Sequence, residues 1–133
     1  MNLKGESAGF SGDKTITFSN HMQGENYICA GNTLKGPKVL SSMANTFSKS
    51  TGSLAEKLLK ALKAGHKAGG DKRKKTYGSG SLKISKDKHD IFGLGDDYIN
   101  LRIDYSKTPI KDLTKLLNQR KKSEVIYSSQ YKY

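Results

Sequence analysis

Six residues in this chain of 133 pair a useful functional group with a setting that could present it: His21, Asn32, Asp71, Arg73, Arg102 and Asp104. His21 lies in Ser19–Gly24, read as the loop joining two short β-prone runs, where function often sits. An imidazole there could move a proton near neutral pH, although a local turn hydrogen bond is the commoner role. Asn32 follows Gly31 at a strand end, where its carboxamide could cap a turn or donate to a developing oxyanion, two readings of equal weight. Asp71 and Arg73 follow the double glycine Gly69-Gly70. That loop could orient either group towards a substrate, or hold an exposed ion pair worth little to stability. Arg102 and Asp104, two apart on a strand, share one face and could pair with each other or with Asp71.

Other chemistries find less support. His21, His66 and His89 are far apart with no ligand-like spacing, and Cys29 is the only cysteine, so no metal site, intrachain disulfide or cofactor is expected. Gly78 and Gly80 do not lead from a strand into a helix, which discounts a phosphate-binding loop. The opening Met1–Ser7 lacks the apolar core of a signal peptide and no window is long and apolar enough to span a membrane, so the expected location is cytoplasmic.

The formal charge of +12, from 24 Lys and Arg against 12 Asp and Glu, would attract polyanions at low salt. Only Arg73, Arg102 and Arg120 are arginines, and the lysines are spread through every segment, as on a solvated surface. The binding alternative rests on Lys72-Arg73-Lys74-Lys75, with Tyr77 beside it as a stacking group for nucleic acid.

The elements that must position these groups follow from pattern. Lys4–Phe10, Thr15–Phe18 and Asn26–Leu34 read as strands. Gly36-Pro37 opens a helix whose stripe is Val39, Leu40, Met43, Ala44 and Phe47. Ser53 and Glu56 form a capping box for a second helix, with Leu54, Leu58, Leu59, Ala61, Leu62 and Ala68 on its buried side and Gly69-Gly70 as its stop. Thr76–Ile84 suggests a strand, Lys83–Asp90 a polar excursion, and Tyr98–Asp104 alternates strictly as a strand. Thr108-Pro109 starts a last helix over Ile110, Leu113, Leu116 and Leu117, and Val125–Tyr127 suggests an edge strand in a polar tail. Strands, two helices, strands and one helix in segregated runs argue for α+β layering.

Several strings together resemble a known family. His21, Gly24 and Tyr27, then Gly31-Asn32 with Leu34, the Leu54–Leu62 helix, Ala64-Gly65 with Ala68–Asp71 and Arg73, and finally Leu101-Arg102 with Asp104, Pro109 and Leu116-Leu117 keep its order and approximate spacing. The family is the domain of unknown function numbered one thousand and twenty-eight, whose members are similar to N-terminal-nucleophile (Ntn) hydrolases. The resemblance runs from about Ser7 to Leu117. It implies an αββα sandwich with antiparallel sheets and an amidohydrolase role on a small amide-type substrate. In that chemistry the first residue supplies both nucleophile and, through its α-amine, the general base.

Here the chain departs from the pattern: the family's leading region, with its terminal Ser or Thr, is expected to be missing. Asn2 has no nucleophilic group, and Ser7 falls inside the first predicted strand. Lys74 replaces a usual glycine, and Thr76-Tyr77 a small polar pair. The expectation is the carboxy-terminal part of an Ntn-like domain over residues 1–120 with a tail at 121–133, lacking its nucleophile. A missing amino-terminal piece or a homo-oligomer would complete the sandwich, either as an enzyme or as a structural subunit.

Overall fold

The computed structural model describes residues 2, 4–73, 76–86 and 97–130, with the side chains of 97 and 125–130 outside the description. The class is α+β, with three helices and two small antiparallel sheets. The chain divides into two compact units, residues 1–74 and 75–133.

In the first unit, β1 (Asn20–Gly24) and β2 (Tyr27–Gly31) form a hairpin in which His21 faces Ala30 and Met22 faces Cys29. Asn26 makes the tight connection at φ 61°, a left-handed conformation that asparagine tolerates better than most residues. Helix α1 (Pro37–Lys49) starts at its proline, and its stripe buries Val39, Leu40 and Ala44 while Met43 and Phe47 are half-buried. Cys29, Leu40 and Ala44 make a core flanked by Phe18, Tyr27, Leu34 and Met43.

Helix α2 (Leu54–Lys67) carries the expected capping box: Glu56 accepts from the Ser53 backbone N–H at 2.8 Å, and Ser53 Oγ accepts from the Glu56 N–H at 3.4 Å. Its buried residues are Ala55, Leu59, Ala61 and Gly65. Leu54 is instead 50% exposed, because the buried stripe runs through its neighbour Ala55 and on to Leu59, and Leu58 and Leu62 are half-buried. Gly65 lets α1 approach: a Cβ there would lie 2.6 Å from Met43 Cγ.

In the second unit, β3 (Gly78–Ser85) and β4 (Asp97–Ser106) pair antiparallel, with Ser81 opposite Arg102 and Leu82 opposite Leu101. Helix α3 (Pro109–Gln130) covers one face of this sheet, burying Leu113 and Leu117 beside Leu82 and Ile99. Its start is held by Asp112, which accepts hydrogen bonds from Ser106 Oγ and Thr108 Oγ1.

The structure corrects several expectations. Residues 4–10 and 15–18 contain no strand, while Asn20–Gly24, read as a loop, is β1. The cause is pairing: β2 offers a partner edge to Asn20–Gly24, and the more β-prone runs before it find none. Ser7 is therefore outside any strand, its Oγ donating to the carbonyls of Gly24 and Tyr27 at 3.4 Å. Val125–Tyr127 continue α3 and form no edge strand. Half of the Lys83–Asp90 excursion, residues 87–90, lies outside the described residues, and Lys83–Ser85 belong to the end of β3. No helix of the described residues is long and apolar enough to cross a membrane.

Candidate functional site

Helix α2 stops where the backbone turns left-handed, with Gly69 at φ 125° and Gly70 at φ 50°, and the Gly70 N–H returning to Gly65 O at 3.0 Å. The released chain then runs back along the β2–α1 turn. Lys35 N–H donates to Gly70 O at 2.9 Å, Lys72 N–H donates to Thr33 O at 2.8 Å, and Leu34 and Asp71 form an antiparallel bridge. Leu34 N–H donates to Phe18 O at 2.9 Å, tying the turn to a third segment. Two turns far apart in sequence are thus fastened together by backbone bonds.

Thr33 is the unusual residue in this clamp. It is buried, at 5% exposure, and holds φ 54° despite a branched Cβ. That conformation costs about 1–3 kcal/mol and persists only where surrounding contacts impose it. Asn32, immediately before it, is exposed. On the facing strand of the clamp Asp71 Oδ1 accepts from the Arg73 N–H, and both its oxygens accept from Arg73 Nε at 2.9 Å. The side-chain hydrogen bond to Asp71 is the main reason that the Arg73 guanidinium titrates above its usual range. Lys72 Nζ donates to Thr17 O. Both described cations of the 72–75 run thus bond to the protein's own acceptors while remaining exposed.

The clamp brings Asn32, Asp71 and Arg73 into one locked turn pair. His21 is on β1, where its Nδ1 shares a 2.8 Å hydrogen bond with Ser11 Oγ and Gly9 passes flat against the ring, leaving room for no Cβ. The bond joins residues ten apart and is made from a strand, where a local bond within a turn was expected. Arg102 and Asp104 pair with each other on the exposed face of β4, in the second unit. His66 is exposed near the end of α2, and His89 lies outside the described residues. Among the described residues no group of three His, Cys, Asp or Glu side chains could hold a metal ion. Cys29 is buried, which pushes its thiol pKa up and makes it a poor nucleophile at neutral pH.

Sequence reasoning missed Thr33, whose strain no residue pattern announces, and the serine partner of His21. It also missed a stacked tyrosine pair in the second unit: Tyr77 and Tyr105, with ring centroids 4.2 Å apart and planes 8° from parallel.

No curated protein matches the chain. The crystal structure of protein SPO2555 from Silicibacter pomeroyi, itself assigned to DUF1028, is similar with a TM-score of 0.75 and 27% identity. The alignment covers 90% of this chain and 49% of that one, so the chain spans about half the length of the neighbour. The model of the family of unknown function DUF1028 matches residues 1–113, and the chain belongs to that family.

Proposed function

We propose that this chain contributes the substrate-facing clamp of an Ntn-type amidohydrolase domain, a C–N bond hydrolase. The observation that carries the reading is Thr33. A buried, β-branched residue is held in a left-handed conformation by bonds to two other segments, and such imposed strain concentrates where a neighbouring group must be aimed. The group so aimed is Asn32. Its carboxamide N–H would donate to the oxygen that becomes negative as an amide carbonyl turns tetrahedral, a role that rewards a donor fixed before reaction. Asp71 and Arg73 brace the opposite side of the clamp, with Asp71 setting the guanidinium plane. His21 holds the segment leading into β1, and Arg102 with Asp104 line the β4 face of the second unit.

In this proposal the nucleophile and its α-amine come from the part of the domain that the chain does not span. The sandwich expected for the family is completed by the same part, in cis or from a partner. The polyanion alternative through residues 72–75 has less support, since Lys72 and Arg73 are both engaged by the protein's own acceptors. The test is an amide-substrate panel run on the chain alone, then on the chain combined with the portion of the Silicibacter pomeroyi protein that it does not cover. Turnover is expected only in the combination. Turnover by the chain alone would remove the external nucleophile, and no turnover by a demonstrably assembled pair would remove the hydrolase reading.

A further inference from the structure

We propose that His21 is a general acid for the hydrolysis described above: its Nε2 delivers the proton that the leaving amine needs, and Ser11 fixes the ring that carries it. The inference rests on the hydrolase reading and gives Asn32 a partner in the same site.

The imidazole is held at one nitrogen and unspent at the other. Its Nδ1 and Ser11 Oγ are 2.8 Å apart. Ser11 belongs to a segment tied down further back, where Ser7 Oγ donates to the carbonyls of Gly24 and Tyr27. Gly9 of the same segment lies against the ring, and a Cβ there would be 2.3 Å from His21 Cδ2. A bond on one edge and backbone on one face therefore confine the half-buried ring. Nε2 has no partner among the described residues. With Nδ1–H donating to Ser11 Oγ, Nε2 is the nitrogen that gains and loses a proton, because the bond made by one ring nitrogen assigns the role of the other.

Position adds the second half of the case. Pairing sets His21 opposite Ala30, and Asn32 follows two residues beyond Ala30 at the same open end of the hairpin. Diagonal neighbours of this kind are about 7–8 Å apart. The oxygen and nitrogen of one amide are about 2.3 Å apart and each takes a hydrogen bond of about 3 Å, so groups at this spacing can flank a single amide. The Asn32 carboxamide also has no partner among the described residues and takes the carbonyl oxygen. His21 takes the nitrogen. Met22 shares the Cys29 face that packs on α1, so alternation turns His21 to the opposite face. In the sandwich expected for the family that face is covered by the part of the domain that the chain does not span. The imidazole thus points to where that part brings its nucleophile.

An alkylamine is a poor leaving group until its nitrogen is protonated, which is the task of a general acid. In the tetrahedral intermediate the Nε2 proton of the His21 imidazolium passes to that nitrogen. The C–N bonding pair departs with the amine, an electron pair of the oxyanion re-forms the carbonyl, and the ring is left neutral with Nδ1–H still donating to Ser11 Oγ. Water that hydrolyses the acyl intermediate returns a proton to Nε2. The proton of the nucleophile itself is carried by its α-amine and goes back to it in the second step.

The experiment compares two substrates of one acyl group on the assembled combination described above: an alkylamide, and the p-nitrophenyl ester, whose phenolate leaves without a proton. His21→Gln should lower kcat on the alkylamide about 10²–10⁴-fold with KM little changed, and the loss on the ester should be smaller by about ten-fold or more. As a positioning residue Ser11 should lose part of the same rate on Ser11→Ala, and Ser11→Thr, which keeps the hydroxyl, should restore it. The bond is read separately on the chain alone, by ¹⁵N NMR of the imidazole, where Ser11→Ala should shift the His21 Nδ1 signal. Equal losses on the two substrates, or His21→Gln within about three-fold of the parent on the alkylamide, would overturn the proposal and leave the hydrolase reading standing. A Nδ1 signal unmoved by Ser11→Ala would remove the bond on which the proposal stands. No turnover by the assembled pair would remove both readings together.

Discussion

Gly69 is where the clamp is most sensitive to a single methyl group. At φ 125° an alanine is strained wherever it sits, at about 1–3 kcal/mol. The space is also occupied: a Cβ would lie 2.6 Å from Lys35 Cδ and 2.9 Å from Lys35 Cβ. A new rotamer clears the Cδ contact, but Lys35 Cβ moves only with its backbone, which is bonded to Gly70 O at 2.9 Å. Overpacking of that kind costs about 1–3 kcal/mol, and reduced freedom of the unfolded chain returns less than about 1, so Gly69→Ala should lose about 3 kcal/mol. Gly70 is the control. Its φ of 50° suits asparagine, and its nearest neighbour to a Cβ is His66 Cα at 3.5 Å, so Gly70→Asn should stay within about 1 kcal/mol of the parent. Urea unfolding followed by circular dichroism reads both, and at an m-value of about 1–2 kcal/mol/M the Gly69→Ala midpoint should fall by roughly 1.5–3 M. A Gly69→Ala midpoint within about 0.5 M of the parent, or an equal loss for Gly70→Asn, would refute the clamp geometry.

Two further outcomes concern the second unit. Leu113 has no exposed surface, and Leu113→Ala should cost about 2–5 kcal/mol in the same titration; a loss below about 1 would mean that α3 does not seal the sheet. The Asp112 carboxyl is held below its usual range, first by the Ser106 hydroxyl, then by Thr108 and Lys115. A depressed carboxylate adds stability above its unfolded pKa, and that contribution is lost as pH falls through the folded value. Ser106→Ala should therefore raise the Asp112 pKa in an NMR titration and flatten the acid end of the stability profile. An unchanged Asp112 titration would contradict the assigned cause.

The helices were legible because their ends carry local chemistry. Pro37 has no N–H to lose at the start of α1, Ser53 and Glu56 satisfy each other's donors, and Gly69-Gly70 takes the left-handed stop. Strand β4 was legible from its alternation, because one face is buried under α3 and the other is wet. Strand β1 was not, since Asn-His-Met-Gln-Gly has no β pattern and becomes a strand only because β2 lies beside it. Val125–Tyr127 misled in the opposite sense. Three β-prone residues cost a helix only tenths of a kcal/mol each, less than the cooperative extension of sixteen helical residues before them. The candidate residues Asn32, Asp71 and Arg73 were visible as types at turns, but their common place depends on bonds between residues nearly forty apart, and the strain at Thr33 has no sequence signature.

The clamp reading is tested most directly by Asn32. In an assembled combination that turns over an amide, Asn32→Ala should lower kcat by about 10²–10³ with KM little changed, since an oxyanion donor acts on the transition state and not on the bound amide. Asn32→Ala turning over within about three-fold of the parent would contradict it, because the strained turn would then be aiming nothing at the reaction.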